Sequence, residues 1–156
     1  SELLRYQLYG GNQKVSILQE IDYLKTYIAL RKLRMSERLR LRVEFPPELN
    51  ELNIYPLLFL PLVENAFKYV GGDYQLDIIM KWENNRISLF IRNSIPELSA
   101  EDEALRKSVD ERQRKGIGLV NLRRRLSLLY PNKHRLETRK EETEFVAELM
   151  IEIEDI

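Results

Sequence analysis

The sequence predicts an α+β fold: a two-layer sandwich in which a mixed, mostly antiparallel sheet is covered by helices on one face. Three observations lead there. Two stretches, 75–93 and 135–153, each hold a pair of runs that alternate apolar and polar residues, and each pair reads as a hairpin. Around them lie apolar stripes at helical spacing. Strands and helices are segregated, as two packed layers require.

The first long helix runs from Ser16 to Met35. In it Ile17, Ile21, Leu24, Ile28 and Met35 recur at spacings of four, three, four and seven, and Tyr27 and Leu30 widen the stripe. Gly10-Gly11-Asn12 separates it from the shorter apolar stretch Leu3-Leu4-Arg5-Tyr6-Gln7-Leu8. Such a helix either packs on its own domain or shares part of its face with a further helical domain. Leu39-Arg-Leu-Arg-Val-Glu-Phe45 alternates with period two and stops at Pro46-Pro47, as a half-buried strand does. A second helix is expected from about Pro56. Runs 75–82 and 86–93, joined by Glu83-Asn84-Asn85, should pair antiparallel.

Residues 94–115 contain Pro96, alternating charges and few large apolar side chains, so the segment reads as a mobile lid, about 95–115. After Gly116-Ile-Gly118 a third helix carries Leu119, Leu122, Leu126 and Leu129, turns Arg123, Arg124 and Arg125 to its opposite face, and ends near Tyr130-Pro131-Asn132. Runs 135–139 and 144–153 supply the last strands, the latter alternating Phe145, Ala147, Leu149, Ile151 and Ile153.

Composition narrows the function. With 156 residues, 44% hydrophobic and 32% charged, the chain suits one globular domain. Lys plus Arg equals Asp plus Glu at 25 each, so no overall field draws it to nucleic acid or an anionic membrane. Cysteine is absent, which excludes disulfides, thiolate metal sites and Cys nucleophiles. No apolar run approaches the ~20 residues that span a bilayer, and Ser1-Glu-Leu-Leu-Arg lacks the plan of a signal peptide. The opening residues fall within an apolar periodic pattern without a starting Met or a cap, which reads as a helix end cut from a longer protein. Membrane attachment is then expected only through upstream segments.

The second helix holds the anomaly. At ~100° per residue, Leu62, Ala66, Phe59, Val70, Val63 and Phe67 cover one broad arc, while Glu64, Asn65 and Lys68 share what remains. Two readings stand. The strip is solvated, with a Glu64–Lys68 pair at i,i+4 worth a few tenths of a kcal/mol. Alternatively a carboxylate, an amide oxygen and an ammonium on one face serve a water or hydroxyl, a hard cation such as Mg²⁺, and phosphate oxygens.

Leu60-Pro-Leu-Val-Glu-Asn-Ala-Phe-Lys68 resembles the N box of sensor histidine kinases of the LytS-like branch. The resemblance implies the Bergerat ATP-binding fold of the GHKL superfamily. It assigns Mg²⁺ ligation to Asn65, the base or polarising role toward a phosphoacceptor His to Glu64, and a phosphate contact to Lys68. Lys115-Gly-Ile-Gly-Leu-Val-Asn121 places two glycines where a flexible segment turns into a helix, and there phosphate can approach backbone N–H groups. It is similar to the second glycine box of the same kinases, which makes Gly116, Gly118 and Leu119 nucleotide contacts. Gln19-Glu-Ile-Asp-Tyr-Leu-Lys-Thr-Tyr-Ile-Ala-Leu30 is similar to the segment that links their phosphoacceptor helices to the catalytic domain. Residues 1–35 are thus expected to hold a dimerisation-helix end and a linker helix, and 36–156 the catalytic domain. ATP and Mg²⁺ follow as ligands. The implied partners are a phosphoacceptor helical domain, a response regulator and a second copy of the full-length protein, in the cytoplasmic part of a bacterial inner-membrane protein.

The first glycine box departs from the family. Where Asp-x-Gly-x-Gly is usual, this chain reads Ile91-Arg-Asn-Ser-Ile-Pro96, so Asn93 stands at the adenine-binding Asp and no glycine follows. An amide oxygen accepts the same hydrogen bond without the charge, which lowers affinity by ~1 kcal/mol. That departure motivates two alternatives: a degenerate domain kept for interaction or dimerisation, and another GHKL ATPase. His134 lies in the polar turn Pro131-Asn-Lys-His-Arg135, without the helical context of a phosphoacceptor, and is expected to be a surface residue.

Overall fold

A computed structural model describes residues 13–47, 49, 51–97 and 117–154. The body of the expected lid, Gly116 and the Gly10-Gly11 turn lie outside the described residues. Helix α1 (Ile17–Arg34) starts where its sequence caps it. Ser16 Oγ accepts from Leu18 N at 3.2 Å, and Gln19 Oε1 accepts from Ser16 N at 3.2 Å, a reciprocal capping box. Arg31, Lys32 and Arg34 in the last turn face the negative end of the helix dipole, and Met35 caps the end. Ile17, Ile21, Leu24 and Ile28 are buried, as the stripe demands.

Strands β2 (Arg40–Glu44), β4 (Gln75–Glu83), β5 (Arg86–Ser94), β6 (His134–Lys140) and β7 (Glu144–Glu152) form a five-stranded sheet in the order β2-β4-β5-β7-β6. Only β2 and β4 run parallel; the other pairs are antiparallel. The β4–β5 turn places Asn84 and Asn85 at φ 52° and 60°, the positive-φ conformation that asparagine tolerates. Leu76, Ile78 and Met80, Ile87, Leu89 and Ile91, and Phe145, Leu149 and Ile151 share one sheet face. They form a single core with the apolar sides of α1, α2 (Leu60–Tyr69) and α3 (Ile117–Leu129). The opposite face carries charge pairs, among them Asp77 and Arg92 with Nε to Oδ2 at 2.9 Å. The expected two-layer α+β sandwich is therefore what the chain builds. Among the described residues no helix is long and apolar enough to cross a membrane.

Two expectations are corrected, and one pairing is added. The second helix begins at Leu60 and not near Pro56: residues 56–59 form a turn with Leu57 at φ 61°, which no helix accommodates. A short pair, β1 (Val15–Ser16) with β3 (Asn53–Ile54), was not legible and ties the start of α1 to the segment before that turn. Ser94 closes β5, and Ile95 N still donates to Thr143 O at 2.9 Å, so pairing with the β6–β7 side runs past the expected start of the lid.

Candidate functional site

Helix α2 has Pro61 in its first turn, where a missing N–H costs nothing, and buries Leu62, Val63, Ala66 and Phe67. The strip left over is the one expected. Glu64 and Lys68 are exposed and Asn65 is half-buried. No ion pair joins Glu64 to Lys68 among the described residues; Lys68 Nζ lies 5.4 Å from the ring centroid of Tyr69. Although Glu64 keeps solvent contact, partial desolvation by its neighbours pushes its carboxyl above the usual carboxylate range, and the positive charge of Arg31 on α1 works against that rise. Arg31 itself sits 5.6 Å from the Phe67 ring centroid.

The exit of α2 is fastened to the end of β5. Gly71 N donates to Ser94 O at 2.9 Å, Ser94 Oγ donates to Gly71 O at 2.7 Å, and Gln75 N donates to Ser94 Oγ at 2.8 Å. Gly72 adopts φ 62°, and a Cβ there would stand 2.8 Å from Ile95 O, so only glycine fits. Asn93 precedes Ser94, is 1% exposed and continues the core-facing row of Leu89 and Ile91. The exit of the helix bearing Lys68 and the strand end bearing Asn93 are thus held together.

The glycine pair is only partly described. Gly118 lies in the first turn of α3, whose leading N–H groups have no intrahelical acceptor. Leu119 is 2% exposed and its side chain belongs to the core, so its peptide N–H is what it can offer a ligand. The three arginines are not one solvated face. Arg123 Nη1 donates to Leu136 O at 3.1 Å, and Arg125 is half-buried and bonds the turn before α2. His134 Nδ1 lies 2.7 Å from Tyr130 O, so it carries the proton and donates.

Sequence reading missed Glu20, which is 0% exposed and whose Oε1 accepts from Leu57 N at 2.8 Å. The signal was there: around α1, Glu20 falls between Leu24 and Tyr27, inside the stripe that Tyr27 widens. Among the described residues no group of three or more His, Cys, Asp or Glu is placed to hold a metal ion. A cation on Asn65 would have to share its coordination with a ligand's oxygens, as Mg²⁺ does with phosphates.

Residues 1–39 match the histidine kinase family. The chain is 28% identical over 141 residues to sensor protein kinase HptS of Staphylococcus aureus, covering 87% of this chain and 27% of that protein. It therefore spans about a quarter of the length of that relative. Among solved structures it is similar to the Acinetobacter baumannii histidine kinase AdeS, with TM-score 0.57, 15% identity, and coverage of 98% of this chain and 73% of the other. The catalytic domain of histidine kinase ThkA gives TM-score 0.56, 17% identity, and coverage of 90% and 96%. In sequence the chain is similar to sensor histidine kinases, and its fold is like that of the solved histidine kinase catalytic domain.

Proposed function

We propose that this chain is the ATP-binding catalytic domain of a sensor histidine kinase of the LytS-like branch. In that reading it delivers the γ-phosphoryl group of ATP to a histidine on a separate phosphoacceptor helical domain. The observation that carries the proposal is the outward strip of Glu64, Asn65 and Lys68 on a helix whose exit is bonded to the strand end bearing Asn93.

Each residue has one task. Asn65 offers its amide oxygen to Mg²⁺, a donor that fits a hard cation shared with phosphates. Bound Mg²⁺ supplies neutralisation of phosphate charge. Lys68 contacts phosphate as a point charge, and the leading amides of α3, including those of Gly118 and Leu119, add backbone N–H groups at the positive end of the dipole. Gly116 stands at the head of the same run. Asn93 accepts from the adenine exocyclic amine. Glu64 orients the acceptor imidazole and takes its proton as the new N–P bond forms and the β,γ-bridging P–O bond breaks, leaving ADP. Positioning and charge do most of such catalysis.

The full-length protein would act as a homodimer at a bacterial membrane and pass the phosphoryl group to a response regulator. Calorimetric titration with ATP, with and without Mg²⁺, tests the domain reading: binding that needs Mg²⁺ is expected. A folded protein that takes up no nucleotide would favour a degenerate interaction module, the reading motivated by Asn93 and the absent first-box glycines. Added alone to radiolabelled ATP, the fragment should stay unlabelled. Label on His134 would overturn the separate-acceptor assignment.

A further inference from the structure

Tyr55, Pro56 and Leu57 lead into α2 outside any helix or strand, so their peptide groups need partners from elsewhere. Side chains of α1 and α3 and the residue after α3 supply them. Glu20 Oε1 accepts from Leu57 N at 2.8 Å. Arg125 donates through Nη2 to Pro56 O at 3.1 Å and through Nη1 to Leu57 O at 3.4 Å. Tyr130 Oη accepts from Tyr55 N at 3.2 Å.

Glu20 and Arg125 act as a unit. Glu20 is wholly removed from water, and Arg125 is half-buried, its cation disfavoured by burial and favoured by Glu20. A charge in that setting is costly unless it is paired and hydrogen-bonded. Leu57 at φ 61° is a left-handed leucine, a conformation that persists only where the surroundings over-determine it. Its N–H and its carbonyl are both gripped by this pair.

We propose that Glu20 and Arg125 are positioning residues that aim α2 at the nucleotide, by fixing the turn at Pro56 and Leu57 that leads into the helix carrying Glu64, Asn65 and Lys68. The inference rests on the nucleotide-site reading above and deepens it. Both α1 and α3 hold the same turn, so a shift of one against the other reaches the phosphate end of the site first. Asn93 belongs to the sheet and is not held by the pair.

The test compares two probes on purified wild type, Glu20→Gln and Glu20→Ala, with near-ultraviolet circular dichroism and thermal melting reporting the fold. Glu20→Gln keeps an acceptor for Leu57 N–H and removes the charge facing Arg125. Calorimetry with Mg-ATP should show affinity lowered about tenfold in Glu20→Ala and less in Glu20→Gln, while adenosine affinity stays within about twofold. Equal losses for both probes, or unchanged Mg-ATP affinity, would overturn the proposal. If Glu20→Ala does not fold, Glu20→Gln decides alone: weaker Mg-ATP binding with adenosine affinity unchanged is expected, and unchanged Mg-ATP affinity overturns the proposal. Amide hydrogen exchange without ligand is the second readout: Glu20→Gln should speed exchange over 57–63 and leave β4 and β5 unchanged. If wild type binds neither probe, the nucleotide reading fails, and exchange alone decides positioning, with unchanged rates over 57–63 overturning it.

Discussion

The Arg31 guanidinium lies 5.6 Å from the ring centroid of Phe67, which puts the last turn of α1 against the helix that carries Glu64 one turn earlier. Tyr27 meets the same ring edge-on at 6.3 Å. The linker-like helix therefore brings a positive charge to the carboxylate proposed to act on the phosphoacceptor.

Replacing Arg31 by Met removes the charge that opposes the burial-driven rise in the Glu64 pKa. The Glu64 pKa should then climb further, which a carbon-13 carboxyl titration by NMR will show. The basic form is lost as pH falls through the folded-state value, so the acid limb of phosphoryl transfer should move to higher pH.

Glu64→Gln separates stability from chemistry. A carboxyl whose folded pKa is raised stabilises the fold fully below its ordinary value, and that stabilisation is lost as pH rises through the folded one. The glutamine mimics the protonated form and escapes the loss. At pH 7 it should melt no lower than wild type, while transfer to the acceptor domain falls by about 100-fold or more.

Asn65→Ala should abolish Mg²⁺-dependent ATP binding in calorimetry. Asn65 is half-buried on the outward strip, so the unfolding free energy should change by only ~0.5 kcal/mol. A large fall in melting temperature with binding retained would instead mark the strip as structural.

Asn93→Asp restores a charged acceptor at the adenine end. ATP affinity should rise about fivefold, the equivalent of ~1 kcal/mol. The unliganded protein should melt lower, because the new carboxylate enters a position that is 1% exposed.

Gly72→Ala forces a side chain onto Ile95 O at 2.8 Å in a backbone with φ 62°. A loss of ~1–3 kcal/mol is expected, read as a drop of several degrees in thermal melting.

Much of this architecture was legible because local signals sufficed. The stripe from Ile17 to Ile28 gave α1, and Ser16 and Met35, the ends read from sequence, are its caps. Glu83-Asn84-Asn85 announced the β4–β5 hairpin, and the angular gap between Leu62 and Phe67 isolated Glu64, Asn65 and Lys68. What escaped depends on distant residues. The onset of α2 is set by Glu20 and Arg125, which lie 37 and 68 residues from Leu57; helical periodicity can mark Glu20 as buried but does not name Leu57 as its partner. The parallel β2–β4 pairing and the two-residue β1–β3 bridge leave no pattern that alternation can detect. Ser94 read as the start of a lid because its hydroxyl bridge to Gly71 and Gln75 spans separate elements.

The sheet order also bears on how copies of this domain meet. Among the described residues, strands β2 and β6 form its two rims, where a neighbouring chain could add a strand. Arg40, Arg42 and Glu44 stand exposed along one rim, and Arg135, Glu137 and Arg139 along the other. A strand laid there would have to strip water from three charged side chains at either border. Crowded copies in a cell are thereby discouraged from fusing into a continuous ribbon, and contacts between them are left to surfaces outside the sheet.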